Sequence, residues 1–238
     1  MRLWITLALV AALALPSFAF GMGGGMMGQA VPEDMWSGVE FTPVVGQWSE
    51  YLMTMENEEP VAIHVSIVGQ EGDAYWYEMY MAGEDNEELT TKMLVTGDPG
   101  EEENLKRLII KNGDEPAMEM PVGDNAMDPM FGGIPGMGGE EVEEVELEEP
   151  DVTPIDLGVE TVTVPAGTFE ARHFRIEDED VQFDIWQSTA VGPYGTIKMT
   201  SGEYGMELMG HGDDAESRIT EEPEKFEMPQ FNIPGFGG

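Results

Sequence analysis

The residues able to do chemistry in this chain are few and scattered. There are three histidines, His64, His173 and His211. Their separation gives none of the short ligand spacings that build an imidazole metal site. The chain has no Gly-x-Ser-x-Gly elbow, no His-Glu-x-x-His and no glycine-rich phosphate loop opening a helix. It has no cysteine, which removes disulfides, thiolate ligands, thiol nucleophiles and a lipid-anchoring cysteine. Asp plus Glu number 48, so some carboxylates must lie close together, and proximity alone does not define an acid–base pair. The expectation is a protein that is not an enzyme and holds no cofactor. Nineteen methionines leave one other chemistry open. Thioether sulfur suits Cu(I), and Met22, Met26 and Met27 form one cluster, Met127, Met130 and Met137 another. Methionine also serves as an adaptable apolar filler, and both readings stand at this stage. The acidic run 140–149 admits diffuse Ca²⁺ contacts but has no Asp-x-Asp-x-Asp-Gly loop.

Short alternating runs must position whatever these residues do. Val61, Ile63, Val65 and Ile67 share one face with a period of two, and a turn near Gly69 leads into Tyr75, Tyr77, Met79 and Met81 on one face. His64 falls on the opposite side of its run and is expected to face solvent. Further strands are expected at 47–55, 89–96, 105–111, 159–164, 169–176, 181–186, 196–200 and 204–209, with one helical turn near 100–106. Nine or ten short strands with little helix predict a mainly β fold: a curved antiparallel sheet or half-open β-barrel. Such a sheet must curl or close to hide its edges.

Flanking segments differ in composition. Arg2, an apolar run over 3–15 and the small residues Ser17 and Ala19 read as a signal peptide cut near Ala19. The run is too short to favour a membrane span, which needs about 20 residues. The expected organisation is a signal peptide at 1–19, a flexible Gly/Met-rich leader at 20–43, a β domain at 44–212 with an acidic Gly/Met-rich insertion at 123–150, and an acidic tail at 213–238. The formal net charge of −38 argues against nucleic acid and anionic lipid surfaces as partners. The segments 115–121 and 131–139 are echoed by 222–229 and 231–238. The echo admits either two equivalent docking tails or coincidence in Gly/Pro/Met-rich sequence. Phe231, Ile233 and Phe236 are expected to pack against the sheet.

Two stretches carry a resemblance. The segment 158–171, containing Val164-Pro165-Ala166-Gly167-Thr168-Phe169, is similar to a hairpin of uncharacterised exported bacterial proteins. In those proteins it precedes a Trp strand and a glycine turn into a Lys-bearing strand, matched here by Trp186, the 192–195 turn and Lys198. The opening run 45–51 also resembles theirs. That group resembles the LolA/LolB-type lipoprotein carriers, whose fold is a half-open antiparallel sheet around an apolar cavity. The resemblance covers roughly residues 45–210, lacks the carriers' helical lid, and transfers no functional residue. It implies a periplasmic or secreted binding protein that takes a lipid, an acyl chain or an apolar segment on the concave face. Tyr75, Tyr77, Met79, Met81, Phe183, Ile185 and Trp186 are the candidate lining, with Trp186 alternating against Phe183 and Ile185. A structural or assembly protein docking envelope partners through its Gly/Met/Phe segments is the alternative, with Cu(I) binding beside it.

Overall fold

The structure, a computed structural model, describes residues 42–56, 59–82, 88–97, 104–122, 154–178, 181–202 and 204–226. The expected signal peptide, both loop methionine clusters, the acidic run 140–149 and the segment 231–238 lie outside these residues.

The described residues form one open, curved sheet of twelve strands. The first meander comprises β1 (Trp48–Met55), β2 (Val61–Glu71), β3 (Ala74–Ala82), β4 (Glu88–Thr96), β5 (Leu105–Asn112) and β6 (Met118–Met120). The second comprises β7 (Ile155–Val164), β8 (Gly167–Asp178), β9 (Val181–Gln187), β10 (Thr196–Ser201) and β11 (Tyr204–Gly212), and β12 (Glu224–Lys225) follows. The order is β12-β6-β5-β4-β3-β2-β1-β11-β10-β9-β8-β7. The two meanders therefore meet at the antiparallel pair β1–β11 in the middle of the sheet. β12 joins β6 in parallel. Twelve strands exceed the nine or ten expected; β6 and β12, at three and two residues, are too short to show a period.

Alternation explains the main core. Ile63 and Ile67 of β2, Tyr77 and Met79 of β3, Leu108 of β5 and Leu208 of β11 bury into one cluster on the concave face. The sheet curls far enough that the Ala166 N–H, in the turn between β7 and β8, donates to the Leu208 carbonyl at 3.1 Å. β9 and β10 separate those two elements within the sheet.

The convex face holds a second, smaller cluster of Ala74, Trp76, Leu94, Ile109, Ala117 and Ile219. Ile219 belongs to residues 213–226, placed in the tail by the sequence. Here that segment crosses the back of the first meander. The Trp48 indole N–H donates to Asp214 Oδ1 at 2.8 Å. Lys92 Nζ donates to Ser217 Oγ at 2.8 Å, and Lys111 pairs with Glu221. The Arg218 guanidinium lies 3.8 Å from the centre of the Tyr80 ring. The Glu224 N–H then donates to the Ala117 carbonyl at 2.8 Å as β12 begins. Burial on both sides is why β3 is covered almost continuously from Ala74 to Met79.

Candidate functional site

A recess opens on the concave face where β1, β2, β3, β4, β10 and β11 face the loop after β9. It is lined by Tyr51, Ile63, Val65, Tyr77, Met79, Met93, Tyr194, Thr196 and Met206. Each strand contributes through its inward alternation. Tyr51 pairs in register with Ile63 and with Leu208, and Val65 with Met79. Tyr194 enters from the loop, with φ at +69°, and its ring stacks on Tyr77 with centres 6.0 Å apart. The loop is held to β1 by the Ser49 hydroxyl, which donates to the Gly192 carbonyl at 2.6 Å.

The recess is small and mostly apolar. Its inner space is about 30 Å³, above the roughly 10–15 Å³ that a single water needs. Counted out through its mouth into solvent, the void reaches about 520 Å³. Its lining includes the polar residues Tyr51, Tyr77, Glu78, Tyr194 and Thr196. The Tyr51 hydroxyl donates to the Thr196 carbonyl at 3.2 Å, and burial pushes the phenol's pKa well up. The Thr196 hydroxyl oxygen is buried and has no hydrogen-bond partner among the described residues. An apolar surface with few polar anchors is the usual chemistry of a small-ligand site.

The seven lining residues expected from sequence divide. Tyr77 and Met79 line the recess. Tyr75 and Met81 are partly buried against the same core. Ile185 is buried and Phe183 partly buried on the inner side of β9, where Ile185 pairs with Met199. Trp186 alternates with these two along β9, stacks on His173 at 4.3 Å and is also partly buried against the main core. Tyr51, Met206, Thr196 and Tyr194 escaped the sequence reading. A strand face rich in Tyr and Met pointed to β3, but nothing in the sequence aims a loop tyrosine into a sheet.

The histidines do not converge. His64 stacks on Trp48 with centres 5.3 Å apart on the outer side, and burial, then the nearby Arg218 charge, lowers its pKa. It is therefore half-covered rather than free in solvent. His211 meets the edge of Phe169 at 5.7 Å. His173 lies between Asp184 Oδ1, 2.7 Å from Nε2, and Glu160 Oε1, 3.0 Å from Nδ1. Glu160 also accepts the Trp186 indole N–H. Burial alone would raise the Asp184 pKa, but hydrogen bonds from Arg175, Gln182 and His173 outweigh it and hold the carboxyl below its ordinary range. Both imidazole nitrogens thus face carboxylates rather than a hydroxyl nucleophile. Among the described residues no three His, Asp or Glu side chains are arranged to hold a metal ion.

No family model and no curated protein matches this chain. Among solved structures, it is similar to a protein assigned as exported, with a YmcC-like fold, from Bacteroides fragilis. That alignment has 10% identity and a TM-score of 0.36, and covers 72% of this chain and 98% of the other. A protein assigned as a lipoprotein, from Parabacteroides distasonis, aligns at 9% identity and a TM-score of 0.35, covering 72% and 97%. MucB, solved in complex with MucA(peri), aligns at 7% identity and a TM-score of 0.30, covering 72% of this chain and 51% of its own. Likenesses this distant do not transmit an activity or a partner.

Proposed function

We propose that this chain is a non-enzymatic, exported binding protein that accepts the end of an apolar chain or segment on the concave face of its sheet. The observation that carries the reading is the recess walled by Tyr51, Tyr77, Tyr194, Met79, Met93 and Met206, with Thr196 in its lining. Methionine and tyrosine suit a site that adapts to apolar guests of varied outline. The inner space fits the tip of a ligand, and the rest would lie along the open mouth. The signal-like N-terminus and the resemblance to lipoprotein carriers support export. The copper and tail-docking alternatives rest on residues outside the described ones.

The test is native mass spectrometry after mild purification, with lipid extraction, followed by displacement of a fluorescent acyl probe. Met206→Trp should fill the recess and abolish probe binding while the fold survives by circular dichroism. A protein that carries no ligand, and a Met206→Trp variant that still takes up the probe, would sink the reading.

A further inference from the structure

The two ends of the sheet are unequal. One ends in the two-residue β12, laid beside β6 by the crossing segment. The other ends in the ten-residue β7, which pairs with β8 on one side and, among the described residues, with nothing on the other. Outward-facing N–H and C=O groups on such a strand are a template for another strand. Proteins commonly blunt these edges with charges, proline or bulges. β7 has one irregularity, between Asp156 and Gly158, where Leu157 has no partner in β8. From Val159 to Val164 the pairing is regular over six residues, so alternate residues there present their backbone groups outward.

The side chains do not discourage a partner. Six large apolar side chains are exposed among the described residues, and three are on this strand: Ile155 at 44%, Leu157 at 47% and Val159 at 68%. Charge decides which partner. A second copy would carry the same net charge of −38 over its whole chain, so two copies repel. The β7–β8 hairpin itself carries Asp156, Glu160, Glu170, Glu177 and Asp178 against Arg172 and Arg175. An approaching strand is favoured when it is cationic and disfavoured when it is acidic.

We propose that the outer edge of β7, over Val159 to Thr163, short of the buried Val164, is a docking site for an extended peptide segment in which basic residues alternate with apolar or β-branched ones. The segment adds as an extra strand: backbone hydrogen bonds supply affinity, and its Lys or Arg side chains answer the acidic hairpin. This surface is separate from the concave recess and does not depend on it.

The probe is a fluorescein-labelled ten-residue peptide alternating Lys with Val and Thr, titrated into the full chain by fluorescence anisotropy. A second peptide of the same sequence carries N-methyl groups on alternate residues, keeping its charge and apolar content but losing the donors that pair with a strand edge. Binding should weaken about tenfold or more with the N-methyl peptide and with the Val159→Lys protein, a loss of about 1.4 kcal/mol or more. The Val159→Lys protein should melt like the parent, because Val159 is exposed. Equal binding of the two peptides would reduce the effect to general attraction by an acidic surface and overturn the proposal. So would a peptide-free dimer in sedimentation that Val159→Lys dissolves, since the edge would then belong to a second copy.

Discussion

The hydroxyl of Ser217 donates to Glu78 Oε2 at 2.6 Å, across 139 residues of chain. Glu78 is 2% exposed, and its other carboxylate oxygen accepts the Arg218 N–H at 2.8 Å. Lys92 Nζ approaches the same serine oxygen, and burial pulls the Lys92 pKa down. A buried carboxylate on the middle of a strand is thus satisfied by residues of the crossing segment, so sheet and segment each depend on the other. Ser217→Ala should cost about 1–3 kcal/mol, the usual penalty for leaving a buried polar group short of a partner. Urea unfolding measures the loss. Unchanged stability would show that the segment is held elsewhere.

The crossing segment also covers apolar surface. Ile219 is 4% exposed against Trp76, Leu94 and Ile109. Ile219→Asp would place a charge on that cluster and should lower stability by several kcal/mol, a large share of the roughly 5–15 kcal/mol typical of a domain. Thermal melting of the full-length variant checks this. Deleting everything from Ser217 onward would combine this loss with that of the Glu78 contacts. Such a deletion therefore tests the fold before it tests any docking role of the C-terminus.

The start of the segment is fixed by a glycine. Gly46 has φ at +98°, and a Cβ there would sit 2.4 Å from the Asp213 carbonyl oxygen. The Gly46 carbonyl meanwhile accepts the Ala215 N–H at 2.8 Å. Gly46→Ala should cost roughly 1–3 kcal/mol in backbone strain alone, with the displaced Asp213 carbonyl adding to it. Faster amide exchange at Ala215 and beyond is the expected signature. Protection equal to the parent's would show that the close approach relaxes freely.

Acid should test the polar cluster on β8 and β9. The Asp184 pKa is held below its ordinary value in the folded protein, so the carboxylate stabilises the fold most above the unfolded aspartate pKa of about 3.9. That contribution is lost as pH falls through the lower folded value. The stability gap between the parent and Asp184→Asn should therefore be constant near neutrality and narrow below about pH 4. A gap that does not change with pH would assign the effect to packing rather than to ionisation.

The fold was largely legible where one face is apolar and the other polar. Val61, Ile63, Val65 and Ile67 announce β2 by period alone, and so do Phe183 and Ile185 on the inner side of β9. The crossing segment was not legible. Its run from Asp213 to Glu224 is half acidic, and it is held in part by Ser217, Ile219 and backbone groups, none of which leaves a periodic trace. The recess was half legible for the same reason: Tyr77 and Met79 follow from the β3 pattern. Tyr51 and Met206 reach it through the β1–β11 pairing across more than 150 residues, and Tyr194 through a loop conformation.

Thr196 separates stability from binding. Its buried hydroxyl has no hydrogen-bond partner among the described residues, while its carbonyl accepts the Tyr51 hydroxyl. A buried, unpaired hydroxyl costs about 1–3 kcal/mol unless something pairs with it. Thr196→Val keeps the shape and the carbonyl but replaces the hydroxyl with a methyl. In ligand-free protein it should leave the melting temperature unchanged or raise it. If the hydroxyl instead meets a polar group on a bound guest, the same variant should weaken that guest's retention about tenfold, roughly 1.4 kcal/mol. Melting curves of delipidated protein and displacement of the fluorescent acyl probe give the two readings independently. A variant destabilised without ligand would show that the hydroxyl already has a structural partner, such as a buried water. Unchanged melting with unchanged retention would leave the recess without a polar anchor at this position, and would shift the recognition of any guest to its tyrosines and methionines.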